Sequence, residues 1–100
     1  MFTQMQITLD HIIARDENCV SADLSGTAAI LQPVSGIYFG INEVGASVWN
    51  LLQTPRKGHE LLSLLLEEYD VEADVCRADL LALLSQLEAN RLITVQGRSD

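Results

Sequence analysis

The sequence predicts a mixed α+β fold in which three antiparallel strands precede three helices. Up to residue 41, apolar and polar residues alternate with the period of two that is typical of strands. From residue 42 onward, apolar residues recur with the spacing of about 3.6 that places them on one face of a helix. The chain has 100 residues, of which 48% are hydrophobic and 20% charged, and this predicts one domain over residues 1–100. Residues 1–11 and 96–100 are interpreted as an extension and a tail.

Turn residues separate the three predicted strands. The first strand is predicted from Cys19 to Leu24, and Ser25-Gly26 then forms a tight turn because glycine adopts positive φ without steric cost. The second strand runs from Thr27 to Leu31, and the turn that follows contains Pro33 and Gly36. The third runs from Ile37 to Ile41. Short turns between consecutive strands predict an antiparallel meander.

Weaker strand signals lie at the two ends of the chain. Met5, Ile7 and Leu9 alternate with polar residues, which predicts a short strand near the N-terminus. Ile12 and Ile13 are interpreted as leading into a charged turn. Residues 92–95 predict a short terminal strand after the last helix.

Three amphipathic helices fill the second half of the chain. Asn42 is the predicted N-cap of a helix that ends near Gln53, because its side chain can accept a hydrogen bond from a free backbone N–H. The second helix ends near Asp70. The third begins at Asp74 or Val75 and ends at Asn90, and its predicted core residues are Cys76, Leu80, Leu83, Leu84 and Leu87.

Charge and composition exclude several classes of partner. Fourteen acidic residues against six Lys and Arg give a net charge of −8, without any basic cluster. Binding to duplex nucleic acid or to an anionic membrane needs clustered cations, so neither is expected. No apolar stretch approaches bilayer length, and the N-terminus lacks the pattern of a secretion signal. We therefore expect a soluble cytoplasmic protein with reduced cysteines.

The residues that could carry catalysis or bind a metal are isolated. Cys19, Cys76, His11 and His59 lie in no nucleophile motif and lack the paired spacing of zinc ligands; both histidines are expected at the surface. The acidic residues of segment 67–74 lack the glycine of a calcium-binding loop. The sequence thus predicts no enzyme, no metal site and no cofactor.

The third helix carries a second uncharged face. Ala78, Ala82, Ser85 and Ala89 lie opposite the core residues, and Leu81 and Val75 flank them. Small residues let another backbone approach closely, so this face is a candidate binding surface. It is equally compatible with burial against the protein's own sheet or in a dimer, or with alanine's helix propensity alone.

The third strand is a candidate interaction edge. Residues 37–41 include neither lysine nor proline nor an inward charge, and an unprotected apolar edge is a template for another strand. The N-terminal segment Met5 to Leu9 or a dimer partner could cover it instead.

The order of these segments resembles a known family. The residues that carry the resemblance are "GIYFGINEVGASVW" at 36–49, "LLEEYDV" at 65–71, and segment 79–93. They are similar to the PqqD-like proteins, peptide-recognition modules also called RiPP recognition elements, in particular the free-standing ones of lasso-peptide pathways. Two features depart from the family: Asn90 stands where a glycine is usual after the last helix, and residues 1–11 have no counterpart.

The resemblance implies a winged helix-turn-helix-like fold without catalytic activity. It implies that the leader of a ribosomally made precursor peptide is added as a strand to the third strand and lies against the third helix. Nine residues are the implied contacts: Ile37, Tyr38, Phe39 and Gly40 on the strand, and Arg77, Ala78, Leu81, Ala82 and Ser85 on the helix. The implied enzyme partners are a leader peptidase and a cyclase in a lasso pathway, or a radical-SAM enzyme in the pyrroloquinoline quinone pathway.

Two alternatives come from other classes of protein. A winged-helix DNA-binding regulator would share the order of helices, but only Arg77, Gln86 and Asn90 could read bases from the third helix. A small dimerisation subunit of a larger enzyme, present as a homodimer, would use the same apolar faces.

Overall fold

The computed structural model of the protein describes residues 6–97. Within that range the chain forms strands and helices in an α+β arrangement, as predicted. In chain order they are β1 (Ile12–Arg15), β2 (Val20–Asp23), β3 (Ala28–Gln32), β4 (Ile37–Ile41), α1 (Glu43–Leu51), β5 (Arg56–Lys57), α2 (Gly58–Glu68), α3 (Ala73–Ala89) and β6 (Ile93–Gln96).

Strands β2, β3 and β4 form the predicted antiparallel meander, which we call the wing sheet. Ser25 and Gly26 both adopt positive φ, 64° and 102°, as the two-residue turn between β2 and β3 requires. Gly36 closes the next turn at φ 72°. One face of the wing sheet packs on the core, where Ile30 of β3 is fully buried.

The structure also contains a second antiparallel sheet, with the order β5-β1-β6, that the sequence did not predict. The charged turn expected after Ile13 is present at Asp16 to Asn18, but Arg15 still belongs to β1 and pairs with Ile93. Lys57 of the two-residue strand β5 pairs with Ile12 on the other side of β1. The predicted terminal strand is confirmed as β6. The fold therefore has two three-stranded sheets instead of one.

The strand predicted over Met5 to Leu9 is wrong for residues 6–9, which form no strand, and Met5 lies outside the described residues. Ile7 enters the core instead, and the Leu9 carbonyl accepts a hydrogen bond from His59 N at 2.9 Å. A Cβ on Gly58 would approach Leu9 Cα to 2.7 Å, so this segment packs tightly on the start of α2. The alternation of apolar residues reflects this packing and not strand pairing.

His11 is also placed differently from the prediction. It is buried, and its Nδ1 accepts a hydrogen bond from Thr8 N at 2.9 Å. His59 is exposed as expected, with Nε2 at 3.0 Å from Asp10 Oδ1. The buried His11 thus fastens the N-terminal segment to the second sheet.

The helices begin and end close to the predicted residues. Asn42 Oδ1 accepts from Gly45 N at 2.9 Å, which confirms the N-cap of α1. At the end of α3 the left-handed residue is Arg91, at φ 61°, and not Asn90, at φ −92°. Leu92 N donates to Leu87 O and Arg91 N to Glu88 O, the two bonds of a Schellman motif.

The core lies between the two sheets and the helices. Trp49 is its largest buried side chain, and the Arg15 guanidinium lies 4.4 Å from the centre of the indole ring. Cys76, Leu80, Leu84 and Leu87 of α3 are buried as predicted, whereas Leu83 is only half-buried. In the part of the chain that the structure describes, no helix has the length and apolar character to cross a membrane.

Candidate functional site

Strand β4 is an edge of the wing sheet, as predicted. In residues 6–97 it pairs with β3 alone, and its other side faces no strand. Phe39 lies opposite the buried Ile30 and turns its side chain toward the core, whereas Tyr38 points to the opposite face and is 72% exposed. The edge therefore has one face anchored in the core and one face in solvent.

The ladder of the wing sheet fixes which backbone groups of β4 are free. Leu24 N donates to Thr27 O in the turn between β2 and β3, so every second residue of β3 from Thr27 bonds toward β2. The residues between them, among them Ile30, bond toward β4. It follows from the register that the N–H and C=O groups of Tyr38 and Gly40 point away from β3. The outer edge thus offers two donors and two acceptors.

A cavity of about 330 Å³ opens just beyond the end of β4, between α1, α2 and α3. We call it the α1–α3 cavity. Its lining is largely apolar, and α3 contributes Val75, Leu83 and the carboxylate of Asp79. Burial, together with the Asp79 charge, raises the pKa of the Cys76 thiol at the same wall. The cavity suits an apolar group with a cation beside it.

A second cavity, of about 200 Å³, lies at the other end of β4. We call it the β4–α3 cavity. Ile37 and Phe39 form one side, Ala89 and Arg91 at the end of α3 form the other, and Gln32 also lines it.

The two cavities lie at opposite ends of β4, and α3 lines both; we call the surface between them, bounded by β4 and α3, the groove. The start of β4 and the end of α3 line one cavity, and Asn42, which follows β4, lines the other together with Val75 near the start of α3. Five strand residues span about 17 Å and the fifteen helical residues from Val75 to Ala89 span about 22 Å, so the two walls have comparable lengths. An extended peptide of five to seven residues would fill such a groove.

The structure separates the nine predicted contact residues into two groups. Ile37, Tyr38, Phe39 and Gly40 lie on the edge strand beside the groove. The α3 residues Arg77, Ala78, Leu81, Ala82 and Ser85 line neither cavity. At about 100° per residue, Ala82 lies about 20° around the helix from Val75, which lines the α1–α3 cavity, and Ala78 and Ser85 lie about 60° and 80° from it. Leu81 and Arg77 are turned further away, whereas Ala89 of the same predicted face lines the β4–α3 cavity.

The predicted α3 face is mostly open to solvent. Arg77, Ala78, Ala82 and Ser85 are exposed, so the protein's own sheet does not bury them, and Leu81 is half-buried against the core. Arg77 Nη2 lies 3.3 Å from Asp74 Oδ1. The two cavities are lined by Ala89 of the predicted face and by Val75 beside that face, together with Asp79 and Leu83, which lie outside it. The sequence predicted Leu83 as a core residue. Its position at the border of the apolar stripe of α3 was the signal that it could line a cavity instead.

No three His, Cys, Asp or Glu side chains within residues 6–97 converge on a point that could hold a metal ion. The described site therefore consists of backbone hydrogen-bonding groups, apolar walls and a single carboxylate in the α1–α3 cavity.

Comparison with known proteins identifies the family. The model of coenzyme PQQ synthesis protein D (PqqD) matches residues 27–93, which run from the start of β3 to the start of β6. The chain therefore belongs to the PqqD family, which confirms the resemblance found in the sequence. Among solved structures, it is similar to TbiB1 in complex with the TbiA(beta) leader peptide, with a TM-score of 0.76 and 28% identity over 87% of this chain and 99% of that chain. A search of curated proteins finds no match.

Proposed function

We propose that this protein binds the leader segment of a ribosomally synthesised precursor peptide and presents it to tailoring enzymes without itself catalysing a reaction. The unpaired outer edge of β4 beside the groove carries this proposal, because it offers backbone groups to a foreign strand and side-chain cavities at both ends. The similarity to TbiB1, a protein that binds a leader peptide, supports the same conclusion.

The leader adds as a strand to β4. The free groups of Tyr38 and Gly40 allow up to four ladder hydrogen bonds, worth about 0.5 to 1.5 kcal/mol each. Two apolar leader side chains, one in each cavity, contribute about 1.5 to 3 kcal/mol each. The sum is about 5 to 12 kcal/mol, from which ordering of the leader removes about 2 to 5 kcal/mol. Further entropy is lost on association, so the upper part of this range is needed for a micromolar affinity.

Backbone pairing and cavities have different roles in this arrangement. Main-chain bonds accept any extended sequence, so Ile37 to Gly40 supply affinity with little selectivity. Selectivity comes from the cavities, where Val75, Asp79 and Leu83 select an apolar leader residue with a cationic neighbour. The exposed α3 face of Ala78, Ala82 and Ser85 remains the alternative wall that the sequence predicts.

Reversible binding suits a protein that passes its peptide on to enzymes. A presenter has to release its cargo, which suits an affinity that is not extreme. In a lasso pathway the bound precursor passes to a leader peptidase and a cyclase, which we propose as the enzyme partners in the cytoplasm. Delivery to a radical-SAM enzyme is the alternative that follows from the PqqD family.

Isothermal titration calorimetry tests the proposal. The probe is the leader segment of the short precursor encoded beside this protein's gene, with a scrambled leader of the same composition and a promoter DNA duplex as controls. We expect micromolar binding for the leader alone. Binding of the DNA and not of the leader would instead indicate a winged-helix regulator. A stable homodimer that excludes the leader would indicate that β4 pairs with a second copy.

A further inference from the structure

Gln32 is a buried polar residue that joins the two walls of the groove. It ends β3 and is only 2% exposed. Its Nε2 donates to the carbonyl of Arg91 at 2.6 Å, and its Oε1 accepts from Val34 N at 2.8 Å. One end of the side chain thus holds the turn that precedes β4, and the other end holds the turn that follows α3.

These two turns are the parts of the wing sheet and of α3 that meet at the β4–α3 cavity. Gln32 itself lines this cavity together with Val34, Phe39 and Arg91. Arg91 is the left-handed residue of the Schellman motif, so its carbonyl direction is set by the end of α3. A shift of the β3–β4 turn relative to α3 would break at least one of the two hydrogen bonds.

Stability accounts for only part of this arrangement. Both hydrogen bonds are part-buried and Val34 and Arg91 are exposed residues, which limits the cost of losing the glutamine. The core side chains nearby, among them Ile30, are apolar and do not depend on the amide. The geometry of the amide is better accounted for by the spacing of the two walls.

We propose that Gln32 is a positioning residue for the peptide site: its amide fixes the distance and register of β4 relative to the end of α3, so that an added strand fits the groove. This inference rests on the proposed leader binding. Gln32 acts on the leader indirectly, through the two turns that it holds at Val34 and Arg91.

Two substitutions test the inference. Gln32→Met keeps the length and the approximate volume of the side chain but removes both hydrogen bonds. Gln32→Glu keeps the acceptor for Val34 N but places a carboxylate oxygen against the Arg91 carbonyl when ionised. Once protonated, the introduced carboxyl can again donate to Arg91 and accept from Val34. Burial raises the pKa of a carboxyl at this position, which brings the change into an accessible pH range.

Leader affinity of the three proteins is measured by calorimetry at about pH 5 and pH 7.5. We expect Gln32→Met to bind about tenfold more weakly at both values, because part of the binding free energy must then restore the spacing of the two walls. Gln32→Glu should bind weakly at the higher pH and recover toward the wild type at the lower pH. A role in stability alone would leave the leader affinity of the folded variants unchanged at both pH values.

Other charged groups at the site do not mimic the effect. The groups that face Gln32 are the Cys19 thiol, at 3.8 Å from Nε2, and Arg91. Burial, and then the Asp16 charge, raise the pKa of Cys19, so the thiol stays protonated over this pH range. The wild type is measured at the same two pH values, and its change in affinity corrects for titration of groups on the leader.

Amide hydrogen exchange of the free protein supplies a readout that does not depend on a leader. Val34 N–H should exchange faster in Gln32→Met, and in Gln32→Glu its protection should recover at low pH after correction for intrinsic exchange. Wild-type affinity and exchange in both folded variants would overturn the inference. If the wild type does not bind the leader but the exchange of Val34 changes as expected, the proposed function is wrong. Gln32 would then be a link of the fold alone, and its positioning role would be contradicted as well.

Discussion

Replacing Tyr38 by proline should remove one outward donor of β4 without breaking the ladder to β3. The N–H of Tyr38 points away from β3, and an edge strand tolerates proline where its N–H faces solvent. The loss leaves a leader carbonyl without its partner, which costs about 1 to 3 kcal/mol and weakens binding about 5- to 150-fold. Because the side chain is 72% exposed, its own loss changes folding little.

Three further variants isolate the backbone effect. Tyr38→Ala removes the same side chain but keeps the donor, so the comparison with Tyr38→Pro measures the N–H alone. Ser21→Pro makes the same change on the outer edge of β2, where the ladder also leaves the N–H outward, and should bind the leader as the wild type does. Phe39→Pro removes a donor to β3 and should unfold the wing sheet. Fluorescence anisotropy with a labelled leader and circular dichroism measure binding and folding. Equal affinities of folded Tyr38→Pro and Tyr38→Ala would refute strand addition at β4.

The other predictions concern α3, the packing of β4 and charge. Val75→Glu should weaken leader binding about tenfold, since Val75 lines the α1–α3 cavity, whereas Ser85→Glu, further round the exposed side of α3, should not; the reverse result in calorimetry would select the sequence-predicted face. Gly45→Ala should lower the free energy of unfolding by about 1 to 3 kcal/mol in thermal denaturation, because its Cβ would overlap Ile41 Cγ2, while Gly40→Ala, with open space around it, should not. Leader affinity should fall as salt rises, because a protein of net charge −8 favours a cationic leader; calorimetry across a salt series that shows no change would contradict this.

Local sequence signals predicted the wing sheet and the helices, but they did not predict the strand pairing between distant parts of the chain. The turn at Ser25-Gly26 and the cap at Asn42 depend on a few neighbouring residues, so both are legible in the sequence. Strand β1 pairs with β6, some eighty residues later, and β5 has only two residues. Two residues are too few to show alternation, and the pairing of β1 with β6, which lie far apart in the sequence, depends on the finished fold.

The candidate site divides in the same way. The exposed edge of β4 could be predicted because it lacks lysine, proline and inward charge from Ile37 to Ile41. The wall opposite is less determined by the sequence, since it depends on the rotation of α3 about its axis in the fold. Ala89 of the alanine-rich face and Val75 beside that face line the cavities, whereas Leu83, which also lines one, was expected in the core.

The wing sheet has two open edges in the described chain, and they are not equivalent as peptide sites. Strand β2 leaves backbone groups free as β4 does, yet all four of its residues are exposed and neither groove cavity includes any of them. A strand added there would gain up to four ladder bonds, about 2 to 6 kcal/mol in total, and bury little else, which does not offset the about 2 to 5 kcal/mol of ordering a flexible peptide together with the entropy lost on association. On β4 the same bonds form beside two cavities that can bury leader side chains. The location of α3 opposite one edge therefore selects β4, and Asp23 on the other edge adds a charge that discourages pairing.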